Sequence, residues 1–282
     1  MKTITPIFLA SLLTLSLFSS EFIKAAEQAP AATINTVSLS GRQILDEVSK
    51  RHDKPYEFES QEVNLIDKAG NTETREMNRY KRELNLQETR HVLFFLAPSG
   101  IKGVSLLTWQ HSATADDQWL YLPAYGKEMK RIAKGGRKNY FMGTDYTYED
   151  LVSENRDKFN YERLPDEMLN GIKTFVIKAV ATDTDLQKET GYSARKLWIA
   201  QDHFLLMQID FFDTHQQLIK RQRNLEPVNI EGQVWRATKT EMEHFINQHK
   251  TVTTVHERSF NESAVPEKNF KENSIIEGSL LQ

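Results

Sequence analysis

Residues 192–225 read YSARKLWIAQDHFLLMQIDFFDTHQQLIKRQRNL. The stretch divides into three runs, 192–200, 204–212 and 217–225, separated by short polar pieces that carry Asp202, His203, Asp213, Thr214 and His215. In the middle run Leu205, Met207, Ile209 and Phe211 alternate with Leu206, Gln208 and Asp210. That period of two marks a strand with one buried and one wetter side. Separators this short suit sequential antiparallel strands.

The same texture extends in both directions. Residues 159–164, 172–180, 234–242 and 251–258 read as further strands. Upstream, 56–66 and 72–84 flank the turn Asp67-Lys-Ala-Gly70-Asn71 and read as a long hairpin. Both strands are strongly polar, so one side is expected to face water. His91-Val-Leu-Phe-Phe-Leu-Ala97 has no alternation and reads as an interior strand, apolar on both faces. Shorter strands are expected at 104–110, 118–122 and 129–132, between turns marked by Pro98, Gly100, Pro123 and Gly126. Helices are expected in three places. Ser40 stands before Ile44, Leu45 and Val48 with Gln43 three residues on, the pattern of a capped amphipathic helix. Residues 147–153 form a second, with Asp145 or Thr147 as its cap, and Pro266 suits the first turn of a third. So many strands, with helices only near the start, middle and tail, predict a mainly β chain: a single half-open antiparallel β-barrel covered by short helices, over residues 39–275.

The ends read differently. Lys2, an apolar run over 4–18 and the small residues Ser19, Ser20, Ala25 and Ala26 make 1–26 a secretory signal peptide, shorter than the roughly 20 apolar residues that a spanning helix needs. Residues 27–38 form a flexible tail of Ala, Pro and Thr, and 276–282 a C-terminal one. The expected compartment is therefore outside the inner membrane. Cysteine is absent, which excludes disulfides, thiol catalysis and a lipidated amino-terminal Cys. A chain of this length buries enough apolar surface to fold without cross-links. Its net charge of −3 argues against nucleic acid as a general partner.

The sequence holds no evident reaction centre. Its 8 histidines are scattered, and neither an HExxH nor a GxSxG pattern occurs. His244 and His249 are five apart, which places them on opposite faces of a strand. Asp145, Glu149 and Asp150 are explained by capping and by the helix dipole, with no His beside them in sequence. Hence no enzyme, metal or cofactor is expected.

Residues 116–151, DDQWLYLPAYGKEMKRIAKGGRKNYFMGTDYTYEDL, combine aromatics, bases and acids. Trp119 and Tyr121 share one side of a strand, Leu120 and Leu122 the other. The aromatic pair either faces an internal cavity or packs against a neighbouring strand. Lys127, Lys130, Arg131, Lys134, Arg137 and Lys138 surround Gly135-Gly136, without the spacing of a phosphate loop. They fit a solvated loop or a surface for phosphate headgroups or an acidic partner. Phe141 and Met142 suit a mobile apolar lip or a plug in the core.

The block resembles the signature of bacterial outer-membrane lipoprotein-sorting proteins, relatives of the periplasmic lipoprotein carrier. The likeness lies in Asp117-Gln-Trp119-Leu-Tyr121-Leu-Pro123, Lys130-Arg131-Ile132 and Phe141-Met142-Gly143-Thr-Asp145-Tyr-Thr-Tyr148-Glu149-Asp150-Leu151. Thinner matches are Gly171, Tyr192 with Lys196 and Trp198, Phe211-Phe212-Asp213 ahead of Leu218 and Lys220, and Val265-Pro266 with Phe270. The resemblance implies an incomplete barrel enclosing an apolar cavity for acyl chains. It implies a periplasmic carrier that takes acylated lipoproteins or lipids toward the outer membrane with transient membrane contact, alongside an inner-membrane exporter of the resistance-nodulation class. Trp119, Tyr121, Phe141, Met142 and Tyr148 are the candidate ligand contacts, and Lys130 and Arg131 the candidate headgroup or partner contacts. Similar domains also form the lipid-sensing half of periplasmic stress regulators, which leaves a sensor that signals to a membrane partner as the alternative.

Overall fold

The computed structural model describes residues 38–281. The expected signal peptide and nearly all of the tail after it lie outside the described residues. The core architecture is one antiparallel sheet. Its strands are β1 (Tyr56–Ile66), β2 (Thr72–Asn85), β3 (Glu88–Ala97), β4 (Ser105–His111), β5 (Asp117–Tyr121), β6 (Met129–Arg131), β7 (Phe159–Leu169), β8 (Ile172–Ala181), β9 (Tyr192–Ala200), β10 (Leu206–Asp213), β11 (Leu218–Glu231), β12 (Val234–His244) and β13 (His249–Ser259).

The spatial order is β6-β5-β4-β3-β2-β1-β13-β12-β11-β10-β9-β8-β7. Each chain neighbour pairs with the next, and β1 meets β13 to join the two meanders. The curled sheet does not close, which agrees with the half-open barrel expected from the sequence. Its edges explain why. β6 is three residues long and carries exposed Lys130 and Arg131, while β7 holds Pro165 at a break in its register with β8 and acidic Asp166 and Glu167 beside it. Short, charged or proline-bearing edges resist further pairing.

Because β6 and β7 lie at opposite edges, the link between them has to cross the hollow of the sheet. Residues 139–151 of this link form a strap over the inner face, where Phe141 and Tyr148 join Val63, Leu65, Met77, Leu93, Phe95, Val104 and Leu106 in one apolar cluster. The helix expected at 147–153 does not form. Only the single 3-10 turn Glu149–Leu151 is present, since the carboxylates of the strap are drawn into contacts with the barrel wall.

Helix α1 (Gly41–His52) covers the other part of the inner face. Ser40 caps it, with its hydroxyl accepting from the Gln43 amide and the Gln43 side chain returning to the Ser40 amide, as its sequence indicated. Ile44 and Leu45 pack on Phe175, Ile177, Leu197, Ile199 and Phe204, each such burial stabilising the fold by roughly 1.5–3 kcal/mol. A Cβ on Gly41 would meet the Tyr161 carbonyl oxygen at 3.0 Å, so only glycine lets the helix start this close to β7. Helix α2 (Thr184–Thr190) follows β8, and its chain reverses through left-handed Gly191.

On the outer face, the chain after β13 returns across β2 to β5. Val265, Phe270, Ile275 of α3 (Glu272–Ile276) and Leu280 bury Tyr80, Val92, Phe94, Leu107 and Tyr121. The packed chain thus continues beyond residue 275. β3 is covered on both faces, as its unbroken apolar run indicated: Val92 and Phe94 outward, Leu93 and Phe95 inward.

Candidate functional site

The hairpin has one buried and one more exposed side, and the sequence did not say which would be enclosed. In β1 the buried positions are Glu57, Glu59, Gln61, Val63 and Leu65, so the side turned to the hollow carries charged and polar groups as well as apolar ones. Alternation alone does not say which side of a polar strand the fold will enclose.

The registers arrange these positions in layers. Gln61 lies opposite Met77, and Met77 opposite Phe95. One layer along, Glu59, Arg79, Leu93 and Leu106 stand side by side, with Arg258 on the far side of Glu59. The next holds Glu57, Lys81, His91 and Thr108. Polarity therefore changes along the barrel axis, from apolar beneath the strap to charged away from it. A hollow of about 380 Å³ lies along this gradient, walled by Val63, Met77, Leu93, Phe95, Leu106 and Phe141 at one end and by Glu59, Arg79, His91, Arg236 and Arg258 at the other. Its volume falls in the range of ~300–1,000 Å³ typical of small-molecule sites. Arg79, Asp150, Val152, Ser153 and Gln222 also border a wider mouth of about 890 Å³, between α1, the β2–β3 turn and Ser153–Asp157.

The charged layers are internally paired. Glu57 meets Arg236 at 2.8 Å and Arg258 at 3.4 Å, and Glu59 meets Arg258 at 2.7 Å and Arg79 at 3.3 Å. Burial would raise the Glu57 carboxyl, but its bonds to Arg236 and the positive charge nearby hold it below the usual range. Burial pushes His91 down to about 3, with Arg79 and Lys81 adding to the effect, so the ring is neutral. Its Nε2 is buried without a hydrogen-bond partner.

The strap is held by polar contacts at both ends. The Tyr140 hydroxyl is 2.7 Å from His244 Nε2, and Asp145 Oδ2 lies 2.8 Å from His249 Nδ1 and accepts from the Thr251 hydroxyl at 2.7 Å. His244 and His249 are not on opposite faces of one strand. They pair across the β12–β13 turn, which residues 245–248 provide, and both reach the strap. The Met142 carbonyl accepts from Arg75 at 2.6 Å, and Gln118 donates to the Tyr148 carbonyl at 3.0 Å. Asp150 accepts from the Tyr192 hydroxyl at 2.9 Å and pairs with Lys220. Burial raises Glu149, against the opposing charges of Arg195 and Arg137. Among the described residues no group of three or more His, Asp and Glu is placed to hold a metal ion.

The candidate contacts divide between the two faces. Phe141, 2% exposed, stacks on Phe95 at 5.8 Å and lines the hollow. Tyr148 meets Phe141 edge-on at 5.7 Å behind it, and Met142, with φ of 48°, turns the strap toward Gly143. Trp119 and Tyr121 lie elsewhere. Both belong to the outer cluster under the C-terminal chain, Trp119 edge-on to Trp109 at 4.9 Å, while Leu120 and Leu122 take the inner side. Of the expected alternatives for this pair, packing against a neighbouring strand is the one observed. Trp198 donates to Glu167 at 2.8 Å and Trp235 stacks on His203 at 4.5 Å, and among the described residues that line the hollow there is no tryptophan. The basic cluster is likewise split. Arg137 is buried against Asp116 and Glu149, Arg131 pairs with Asp117 at the surface, and Lys130 lies over the Tyr125 ring at 5.3 Å. Arg79, Lys81 and His91 were missed because each sits in a polar or uniformly apolar run, and only the pairing of β1, β2 and β3 brings them together.

A family model described as "Uncharacterized protein" matches residues 87–276. Across 84% of this chain and 98% of its own, an outer membrane lipoprotein-sorting protein domain from Vibrio parahaemolyticus superposes with a TM-score of 0.77 at 27% identity. The chain belongs to the family of that model and is similar in fold and sequence to the lipoprotein-sorting protein domain. Two further structures share the fold of this chain. A DUF1329 family protein from Desulfovibrio piger is 20% identical over 83% of this chain and 97% of that one, with a TM-score of 0.77. A LolA superfamily protein from Nitrosomonas europaea is 15% identical over 84% and 99%, with a TM-score of 0.65. No curated protein matches this sequence. No helix among its described residues is long and apolar enough to cross a membrane.

Proposed function

We propose that this protein is a periplasmic carrier that receives an acyl chain of a lipoprotein or lipid in the hollow beneath the strap and moves it toward the outer membrane, working beside an inner-membrane exporter. The observation that carries the reading is the hollow itself: a cavity of about 380 Å³ walled by Val63, Met77, Leu93, Phe95, Leu106 and Phe141, continuous in its lining with a wide mouth. Removing each CH₂ of a chain from water contributes roughly 0.8 kcal/mol, enough for shielding across an aqueous space. The polar groups bordering the same hollow limit the apolar contact, which suits a carrier that has to release its load.

The test is native mass spectrometry of protein purified gently from its own periplasm, followed by lipid extraction. Lipoprotein acyl chains or free lipids in stoichiometric amount are the expected result. Protein that is consistently empty, and that takes up no acyl probe in solution, would end the proposal.

A further inference from the structure

We infer that the hollow has a head as well as a tail end: Arg79 and Lys81, with His91 between the strands, form a collar that recognises the anionic oxygen head, carboxylate or phosphate, of a single-chain amphiphile. This rests on the carrier reading and adds the chemistry of the load.

Three observations point to it. The first is position. Arg79 borders both the hollow and the mouth, and Lys81 borders the mouth, so an amphiphile entering chain first leaves its polar end at this layer. The second is charge. On the inner face of β1, β2, β12 and β13, Arg236 and Arg258 satisfy Glu57, and Glu59 is shared between Arg258 and Arg79. Arg79 keeps one long contact at 3.3 Å with four of its five donors uncommitted, and its side chain remains 37% exposed. Lys81 has no ion-pair partner among the described residues. Asp53 and Glu57 act on its ammonium only at longer range. The third is an orphan. His91, 6% exposed, lines the hollow with Nε2 lacking any partner, a buried polar atom that a bound oxygen would satisfy as acceptor if the tautomer carries the proton there. His91 stands opposite Lys81 in the β2–β3 register, one layer from Arg79, so Arg79 and His91 line the charged end of the cavity and Lys81 the mouth beside it.

The apolar wall above this collar is Met77, Leu93, Phe95 and Leu106, closed by Phe141 of the strap. An alkyl chain lying along that wall places its first carbons at the collar. A charged acceptor between two cations in a site screened from water makes charge-assisted hydrogen bonds, stronger than those of a neutral hydroxyl in the same place.

The experiment compares three ligands of one chain length on the mature protein, each below its aggregation concentration: hexadecyl phosphate, hexadecanoate and hexadecan-1-ol, by displacement of a fluorescent acyl probe. Both anions are expected to bind at least about tenfold tighter than the alcohol. The preference should vanish in the Arg79→Gln, Lys81→Gln double variant, whose affinity for the alcohol stays at the parent level and so reports an intact cavity. A tighter phosphate or a tighter carboxylate identifies the head, and either supports the collar. Equal binding of all three by the parent overturns the collar and leaves the carrier reading standing. Failure of all three to displace the probe overturns both.

Discussion

The ammonium of Lys220 on β11 and the carboxylate of Asp150 in the strap form an ion pair that solvent does not reach, the two side chains being 0% and 2% exposed. Lys220 also donates to the Asp145 carbonyl at 3.1 Å and lies over the rings of Tyr192, Phe211 and Tyr140 at 5.0 to 5.6 Å. Burial lowers its affinity for the proton, and Asp150 counters that effect. The pair ties the strap to the barrel wall from the inside. Removing one partner strands the other charge, so Lys220→Met should cost about 3–5 kcal/mol by urea unfolding. The double variant Lys220→Met, Asp150→Leu should recover much of that loss. A double variant no more stable than the single one would mean that the pair is not what anchors the strap.

Acid should weaken the fold through His91. Burial, with Arg79 and Lys81, holds its ring at about 3 against an ordinary value of 6.5. Below pH 6.5 the unfolded chain takes up a proton that the folded chain refuses until near pH 3, so stability is full above 6.5 and falls as pH drops through that window. At pH 5 the loss from this ring is about 2 kcal/mol. Urea midpoints at pH 7 and pH 5 should differ less in His91→Gln than in the parent. Identical losses in the two proteins would show that His91 takes no part in the acid response.

The two faces of the sheet should separate binding from stability. Trp119→Ala removes an outer-face ring, expected to cost on the order of 3 kcal/mol while leaving acyl-probe affinity unchanged. Leu93→Gln, on the inner face of β3, should lower that affinity severalfold with the fold retained by circular dichroism. Probe binding that responds to Trp119 and ignores Leu93 would place the ligand on the wrong face for the carrier reading.

Phe141 joins the strap to the hollow. Phe141→Ala should cost about 3–5 kcal/mol, since the ring is almost fully buried, and should weaken probe uptake by removing part of the apolar wall. Thermal melts and probe titrations of one preparation measure both effects. Unchanged uptake removes Phe141 from the binding wall.

Lys130 and Arg131 offer a surface test. Their double change to Gln should alter stability by less than about 1 kcal/mol, because the Arg131–Asp117 pair is exposed on the arginine side. Binding of the parent to anionic vesicles should weaken as salt rises, and the variant should bind less at low salt. Salt-independent binding would remove this edge from any headgroup contact.

Local pattern was enough for the strands and for the first helix, but not for the helix expected at 147–153, which does not form, or for α2. The Ser40–Gln43 box, the turn at Asp67–Asn71, the apolar run His91–Ala97 and the strands around 192–225 all rest on spacing within a few residues, and each formed where its chemistry placed it. The half-open barrel also follows from the succession of strands and short turns. The strap was legible as a distinctive segment, since Phe141, Tyr148 and Asp150 stand out in the text, but its acids read as helix caps.

Tertiary structure decided which side of each strand is inside. A strand alternates between two faces whatever the fold does, so the text could not tell that Trp119 and Tyr121 would turn to the C-terminal chain and Leu120 and Leu122 to the hollow. Nor could it show that Glu57 and Glu59 are enclosed, because their burial depends on Arg236 and Arg258 arriving from strands far along the chain. Local propensity is set by neighbours in sequence, whereas the inside of a curled sheet and the charges that balance there are set by which strands pair. The sequence by itself determined the strands; pairing made the hollow and its charged end.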